Sequence, residues 1–227
     1  MNDGGGEVGG GGPAGRRGER VATAERLALA DLLAEVGPDA PTLCEGWTTR
    51  DLAAHLVVRR DRPDVQAGLV VPWLGGWSEK VRAQRAASPY ADLVADVRSE
   101  PRWWNPMSVA AVDEATNALE YLVHHEDVRR ARPDWQPREV APDVAEEVFR
   151  RTLRIAKLAF RRARLGLALA RPGGEPATIR AGTPVVVVRG EPVELALWTY
   201  GRTGVARVDF EGDPADVERV RSYRNRL

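Results

Sequence analysis

Residues 119–128 read LEYLVHHEDV, and they hold two of the three histidines of the 227-residue chain. The segment has the alanine, leucine and valine content of a helix, on which Glu120 and His124, four residues apart, share one face. Asn117 and Asp113 extend that face toward the N-terminus, so the helix carries a polar stripe. A carboxylate and an imidazole at this spacing can bind one divalent cation from a single rigid element.

The third histidine, His55, lies in DLAAHLVV, residues 51–58, which also reads as a helix. A second helix could therefore supply the third ligand of a site with two imidazoles and one carboxylate. Two simpler interpretations stay open. A Glu–His pair at this spacing is commonly a solvated pair that stabilises a helix by about 0.2–0.5 kcal/mol. A histidine beside leucines is more often a hydrogen-bonded core residue than a ligand.

The composition argues against several classes of partner. Hydrophobic residues make up 43% of the chain and charged residues 29%, as in soluble globular proteins. The 33 basic residues balance the 33 acidic ones, so no overall field attracts nucleic acid or an anionic membrane. The arginine-rich segment 142–170 could contact phosphate or RNA, but the acidic balance elsewhere favours a solvated, salt-bridged face. We expect no nucleic-acid and no membrane partner.

Cysteine content and apolar runs indicate the compartment. The single cysteine, Cys44, excludes an internal disulfide framework and fits a reducing environment. No apolar run has the length that spans a bilayer, and the N-terminus lacks the apolar core of a signal peptide. A cytoplasmic protein is therefore predicted, with its oligomeric state left open. No basic group or second cysteine lies near Cys44 in the sequence, which favours a small buried apolar residue over a nucleophile or a ligand.

Composition and periodicity divide the chain into three regions. Residues 1–18 are glycine-rich and predict a disordered tail, because they cannot bury enough apolar surface to fold. Residues 19–170 show helical spacing, and residues 171–227 contain short β-branched runs separated by glycines. The predicted fold class is therefore α+β, with a helical bundle followed by a small α+β domain.

Capping residues and prolines set the predicted element boundaries. Thr48 or Thr49 is a suitable N-cap for the helix that carries His55, and Pro142 is a suitable first residue for a later helix. We predict helices over 19–36, from the threonines to before Pro63, and over 78–87, 90–98, 108–131 and 142–170. We predict strands over 177–181, 184–189, 193–200 and 205–210, with a tight hairpin at 190–191 and a last helix capped by Asp213.

Two stretches carry a resemblance to a known family. The stretch TLCEGWTTRDLAAHL, residues 42–56, resembles the T-x-C-x-G-W-T…D-L-x-x-H-L signature of the N-terminal domain of mycothiol-dependent maleylpyruvate isomerases, a DinB-like four-helix bundle. Glu120 and His124 match the E-x-x-x-H pair that completes the metal site of that family. The stretch LALWTYGR, residues 195–202, is similar to its small C-terminal domain. Residues 120–130 look closest to an actinobacterial metal-binding branch of the superfamily.

The resemblance implies a metal site. His55, Glu120 and His124 become the ligands of a mononuclear divalent ion, for which zinc is expected, and a fourth position stays open for water or substrate. His125 lies about 100° around the helix from His124, so we expect it to be a supporting or a surface residue. Glu126 and Asp127 are expected to support the site rather than to bind metal, since a ligating histidine usually hydrogen-bonds an acid through its second nitrogen.

The resemblance also implies mycothiol as a thiol partner, and Arg202 as the residue that holds an anionic substrate or that thiol. A surface arginine paired with Asp209 or Glu211 is the simpler alternative for Arg202. The predicted function is a metal- and mycothiol-dependent isomerase or transferase acting on a small molecule. The alternative is a non-catalytic metal-binding protein of thiol or stress metabolism.

Overall fold

A computed structural model of the chain describes residues 20–62, 75–101, 103, 105 and 108–223. The predicted disordered tail lies outside these residues. The described chain has an α+β fold, rich in helices and with one four-stranded mixed sheet. In chain order its elements are α1 (Val21–Val36), α2 (Thr49–Asp61), α3 (Gly75–Ala86), α4 (Tyr90–Arg98), α5 (Ala110–Arg129), α6 (Pro142–Ala159), β1 (Gly166–Ala170), β2 (Ala177–Arg180), β3 (Val185–Arg189), α7 (Pro192–Thr199), β4 (Asp209–Glu211) and α8 (Pro214–Arg221).

Helix α5 is the most deeply buried of the helices that form the helical part, α1–α6. Every residue from Tyr121 to Val128 is buried, including four ionisable ones in succession. α1 packs along α5 and α4, and α2 packs on α3 and α4. The contacts are apolar, and Leu29, Leu52 and Leu122 are completely buried in them. None of the helices in the described residues has the length and apolar content to cross a membrane.

The predicted start of α2 is confirmed. Thr48 is its N-cap, and the Asp51 carboxylate accepts hydrogen bonds from the Thr48 backbone N–H and hydroxyl, both at 3.0 Å. The first of these bonds satisfies a backbone donor at the start of the helix, and together they fix the direction in which α2 begins. α2 then places His55 near α5.

The sheet part comprises β1–β4 with α7 and α8. Its strand order is β2-β1-β3-β4, and β1 pairs with β3 in parallel while the other two pairs are antiparallel. β1 is buried along its whole length. α6 packs against α7, where the rings of Phe160 and Trp198 stack at 4.8 Å. The predicted strands at 177–181 and 184–189 are confirmed as β2 and β3, and so is the Asp213 cap of α8.

Four predictions for the second half are wrong in whole or in part. The helix expected to reach Ala170 ends at Ala159, and residues 166–170 form β1, so this strand precedes the predicted domain boundary. The expected strand 193–200 is the helix α7, and 190–191 leads into it rather than forming a hairpin. All eight residues of α7 are buried. A segment that is buried on every side lacks the regular spacing of apolar and polar positions by which a helix and a strand are told apart. The expected strand at 205–210 begins only at Asp209.

A buried ion pair joins the two parts. Arg130, just after α5, makes two contacts to the carboxylate of Glu194 in α7, with Nη2–Oε1 2.6 Å and Nη1–Oε2 2.9 Å. The backbone N–H of Arg207 donates to the same carboxylate at 2.8 Å. The guanidiniums of Arg130 and Arg207 also lie over the ring of Trp135, at 4.5 and 4.7 Å. The pair fixes α7 against the end of α5.

Glu194→Gln keeps the shape of this side chain and removes its charge. Because Arg130 then loses the negative charge of a buried partner, we expect the free energy of unfolding to fall by about 2–3 kcal/mol. Urea denaturation measures it. Glu218→Gln, at an exposed position of α8, is the control and should stay within about 0.5 kcal/mol of the wild type. Equal stability of the two variants would contradict a stabilising role for the pair.

Candidate metal centre

The three predicted ligands meet at one oxygen atom. Oε1 of Glu120 lies 3.4 Å from Nε2 of His55 and 3.2 Å from Nε2 of His124. One ligand atom of each residue lies within 4.8 Å of those of the other two. α2 supplies His55, and α5 supplies the other two from one face, as the four-residue spacing predicts.

Ring packing holds the two imidazoles in place. The His55 ring lies 5.1 Å from the Trp47 ring and 5.2 Å from the His124 ring, edge to face with the latter. Trp47 is in turn covered by the guanidinium of Arg82, 4.8 Å from its ring centre. His124 is buried, whereas the side chains of His55 and Glu120 keep 21% and 16% of their surface exposed. The candidate centre therefore has one side open to solvent.

Asp127 holds His124 from the opposite side. Its fully buried carboxylate places Oδ2 2.9 Å from Nδ1 of His124. The same carboxylate receives both arms of Arg202, with Nε–Oδ1 2.9 Å and Nη2–Oδ2 2.7 Å. A carboxylate at Nδ1 fixes the orientation of the imidazole and directs Nε2 toward the other candidate ligands, which is the usual arrangement around a metal-binding histidine.

The two imidazoles differ in their protonation. Burial lowers the pKa of His55, and the nearby His124 adds to this effect, although Glu120 opposes it. Burial acts in the same direction on His124, but its contacts with Asp127, Cys44 and Glu120 outweigh it and hold the pKa well above its ordinary value.

The two carboxylates stay ionised. Burial would raise the pKa of Glu120, but hydrogen bonds from both histidines outweigh it and hold the pKa well below its ordinary value. Burial is likewise outweighed at Asp127, where His124 and Arg202 lower the pKa to about 2. The candidate centre therefore holds two carboxylate charges without any ion bound.

A cavity of about 340 Å³ lies on the Asp127 side of the centre. It is lined by Leu43, Cys44, Glu45, Gly201, Arg202 and Val205, and the three candidate ligands are not in this lining. The Cys44 thiol lies 3.3 Å from Oδ2 of Asp127 and 3.6 Å from Nη2 of Arg202. The cavity thus lies next to Cys44 and Arg202, which both contact the Asp127 carboxylate that holds His124.

Cys44, His124 and Asp127 form a second group whose ligand atoms lie within 4.8 Å of one another. It shares His124 with the first group but uses Nδ1, which lies 3.9 Å from the thiol. A guanidinium contacts the carboxylate of each group, Arg202 at Asp127 and Arg59 at Glu120, so this contact does not separate them. The group of His55, Glu120 and His124 is the better candidate because its two imidazoles and one carboxylate are the ligand set of a common catalytic zinc site.

Several predictions for single residues can now be compared with the structure. Arg202 points toward α5 and pairs with Asp127, so the surface pairing with Asp209 or Glu211 is wrong. His125 is buried and pairs with Glu25 of α1 at 2.9 Å, so it is neither at the surface nor a support for His124. Glu126 pairs with arginines, among them Arg130 at 2.6 Å.

Sequence reasoning missed two members of the site. Cys44 is half-buried among charged groups rather than a buried apolar residue. Its partners come from positions far along the chain, so no local signal could have found them. Asp127, by contrast, was expected to support the site, and its carboxylate contacts Nδ1 of His124. Arg59 carried a signal, because a residue four positions after His55 lies on the same face of the helix, and its Nε lies 3.1 Å from Oε1 of Glu120.

Comparison with known proteins gives a likeness in fold. No protein-family model matches the chain, and no curated protein sequence matches it significantly. Two solved structures are similar: a crystal structure of the mycothiol-dependent maleylpyruvate isomerase and one of a histidine-to-alanine mutant of that enzyme. In each case the identity is 18%, the TM-score is 0.56, and the match covers 85% of this chain and 89% of the other. A likeness at this identity indicates a distant relationship in fold.

The protonation states of the two imidazoles can be measured in metal-free protein. At pH 7 we expect His124 to carry protons on both ring nitrogens and His55 to be neutral, because only His124 has its pKa raised. Nitrogen–proton correlation NMR of the imidazole side chains distinguishes the two states. Asp127→Asn should lower the pKa of His124, since it removes the strongest of the contacts that raise it. Two histidines that titrate together near pH 6.5 would contradict this geometry.

Proposed function

We propose that the chain binds one divalent metal ion through His55, Glu120 and His124 and uses it in thiol-dependent isomerase or transferase chemistry. The observation that carries this proposal is the convergence of their ligand atoms within 4.8 Å of one another. Zinc is the expected ion, since two imidazoles and one carboxylate form a common catalytic zinc site with an open position. The helices around the site would then form a DinB-like four-helix bundle in a cytoplasmic protein.

The chemistry of the donor set fits a metal ion. Two imidazole nitrogens face one carboxylate oxygen, and the second nitrogen of His124 already contacts an ionised carboxylate. Asp127 would keep the proton on Nδ1 when Nε2 binds the ion, which makes His124 a stronger ligand. Arg202 holds Asp127 in place with two contacts, and therefore takes part in positioning His124 from outside the helical part.

The open side of the centre and the cavity beside it suggest the kind of substrate. A divalent ion held by His55, Glu120 and His124 would supply Lewis acidity and would lower the pKa of a thiol bound to it. Arg202 lines the cavity, where a guanidinium can hold a carboxylate. Its nitrogens also contact Asp127 and the carbonyl of Tyr200, so we propose that it binds an anion while remaining attached to Asp127. Mycothiol, which the name of the similar enzyme mentions, is the thiol that we propose.

Metal content tests the first part of the proposal. We expect the purified protein to bind zinc with a stoichiometry of one, and Glu120→Gln to weaken the binding by more than about 100-fold, beyond the 10–100-fold loss typical of a supporting residue. Calorimetric titration with Zn²⁺ measures the affinity. Glu139→Gln removes a carboxylate at an exposed position and should leave the affinity unchanged. Equal affinities of these two variants would show that zinc binds elsewhere.

Thiol binding separates the enzyme from a non-catalytic metal-binding protein. If the open position takes a thiol, mycothiol should bind more tightly to the zinc-loaded protein than to the metal-free one, because only the first can coordinate the sulfur. Parallel titrations of both forms measure this difference. Equal affinities would favour a metal-binding protein without thiol chemistry.

Asp127→Asn should reduce zinc affinity by about 10–100-fold, as the loss of a supporting residue does.

A further inference from the structure

We propose that Arg59 makes the candidate metal centre selective for an anionic fourth ligand. The inference rests on the proposed metal site and concerns a residue with no place in the ligand set. Arg59 follows His55 by four residues on α2, so both lie on one face of the helix, as Glu120 and His124 do on α5. Its Nε atom lies 3.1 Å from Oε1 of Glu120.

The position of Arg59 places a permanent positive charge directly against a candidate ligand. Oε1 of Glu120 is shared by the guanidinium and both imidazoles, within 3.1 to 3.4 Å. Only 16% of the Arg59 side chain is exposed, so solvent screens its charge weakly. An arginine cannot lose its proton in a protein, and this charge therefore remains when an ion binds.

Once His124 has given up its second proton to bind an ion, the remaining protein charges around the centre balance. The carboxylates are those of Glu120 and Asp127, and the guanidiniums in contact with them are those of Arg59 and Arg202. The two positive charges of a divalent ion would then leave an excess of positive charge in a site that is partly shielded from water. An anion in the open position offsets that excess, whereas a neutral ligand does not.

This role differs from the more obvious one, in which Arg59 merely orients Glu120. An orienting residue supports the metal, so its loss weakens metal binding. A residue that repels the metal and attracts the fourth ligand has the opposite effect, because its loss tightens metal binding and weakens anion binding. The two roles therefore predict changes of opposite sign in the metal affinity.

The experiment compares the wild type with Arg59→Gln, and with Arg162→Gln, at an exposed position, as the matched control. Calorimetry gives the affinity for Co²⁺, and the visible spectrum of the bound Co²⁺ reports the binding of thiocyanate and of neutral imidazole. In Arg59→Gln we expect Co²⁺ to bind about tenfold more tightly and thiocyanate about tenfold more weakly, as for the loss of one poorly screened charge. Imidazole binding should not weaken.

Arg59→Lys keeps the charge and should restore thiocyanate binding, which guards against a folding defect in Arg59→Gln. Weaker Co²⁺ binding in Arg59→Gln would overturn the inference in favour of an orienting role. Unchanged thiocyanate affinity, or equal losses of thiocyanate and imidazole, would overturn it as well. If the wild type binds no Co²⁺, the proposed function fails together with the inference. If the wild type binds Co²⁺ and Arg59→Gln has the same Co²⁺ and thiocyanate affinities as the wild type, only the inference fails.

Discussion

The structure depends on the burial of four ionisable residues in succession, 124–127, in the middle of α5. A buried charge is tolerated only when it is paired, and adjacent helical residues point in directions about 100° apart. Neighbouring members of the four therefore need partners from different directions. His124 meets Glu120, His125 meets Glu25 of α1, Glu126 meets the arginines that follow α5, and Asp127 meets Arg202.

These pairs connect the candidate centre to the packing of the sheet part. Arg202 follows α7 in the chain. Its guanidinium pairs with the carboxylate of Asp127, which in turn contacts Nδ1 of His124. Arg130 ties the end of α5 to Glu194 in α7, so two independent contacts bring the same helix to the same part of the molecule. The orientation of a candidate ligand therefore depends on where the second part of the chain lies. A change that loosened α7 would disturb His124 without touching it.

The sequence predicted what local spacing controls. Helical periodicity located α1 and α4, the threonine cap located α2, and the four-residue spacing put Glu120 and His124 on one face. α7 was missed because its apolar run has no period, and its buried acid, Glu194, pairs with a residue 64 positions away. Arg202 was predicted as a site residue only from the resemblance to the isomerase family. Cys44 was misjudged because its surroundings are created by tertiary packing and leave no trace in neighbouring positions.

The charges around the candidate centre bear on the kind of metal ion that would suit it. In a structural zinc site the thiolates or imidazoles have no other partner, and the ion drives folding. In this centre Arg59 and His124 already surround Glu120, and Arg202 already compensates Asp127. The fold therefore does not need an ion to neutralise its buried acids. An ion bound there would compete with protein cations for Glu120, as expected of an exchangeable ion rather than of a permanent structural one.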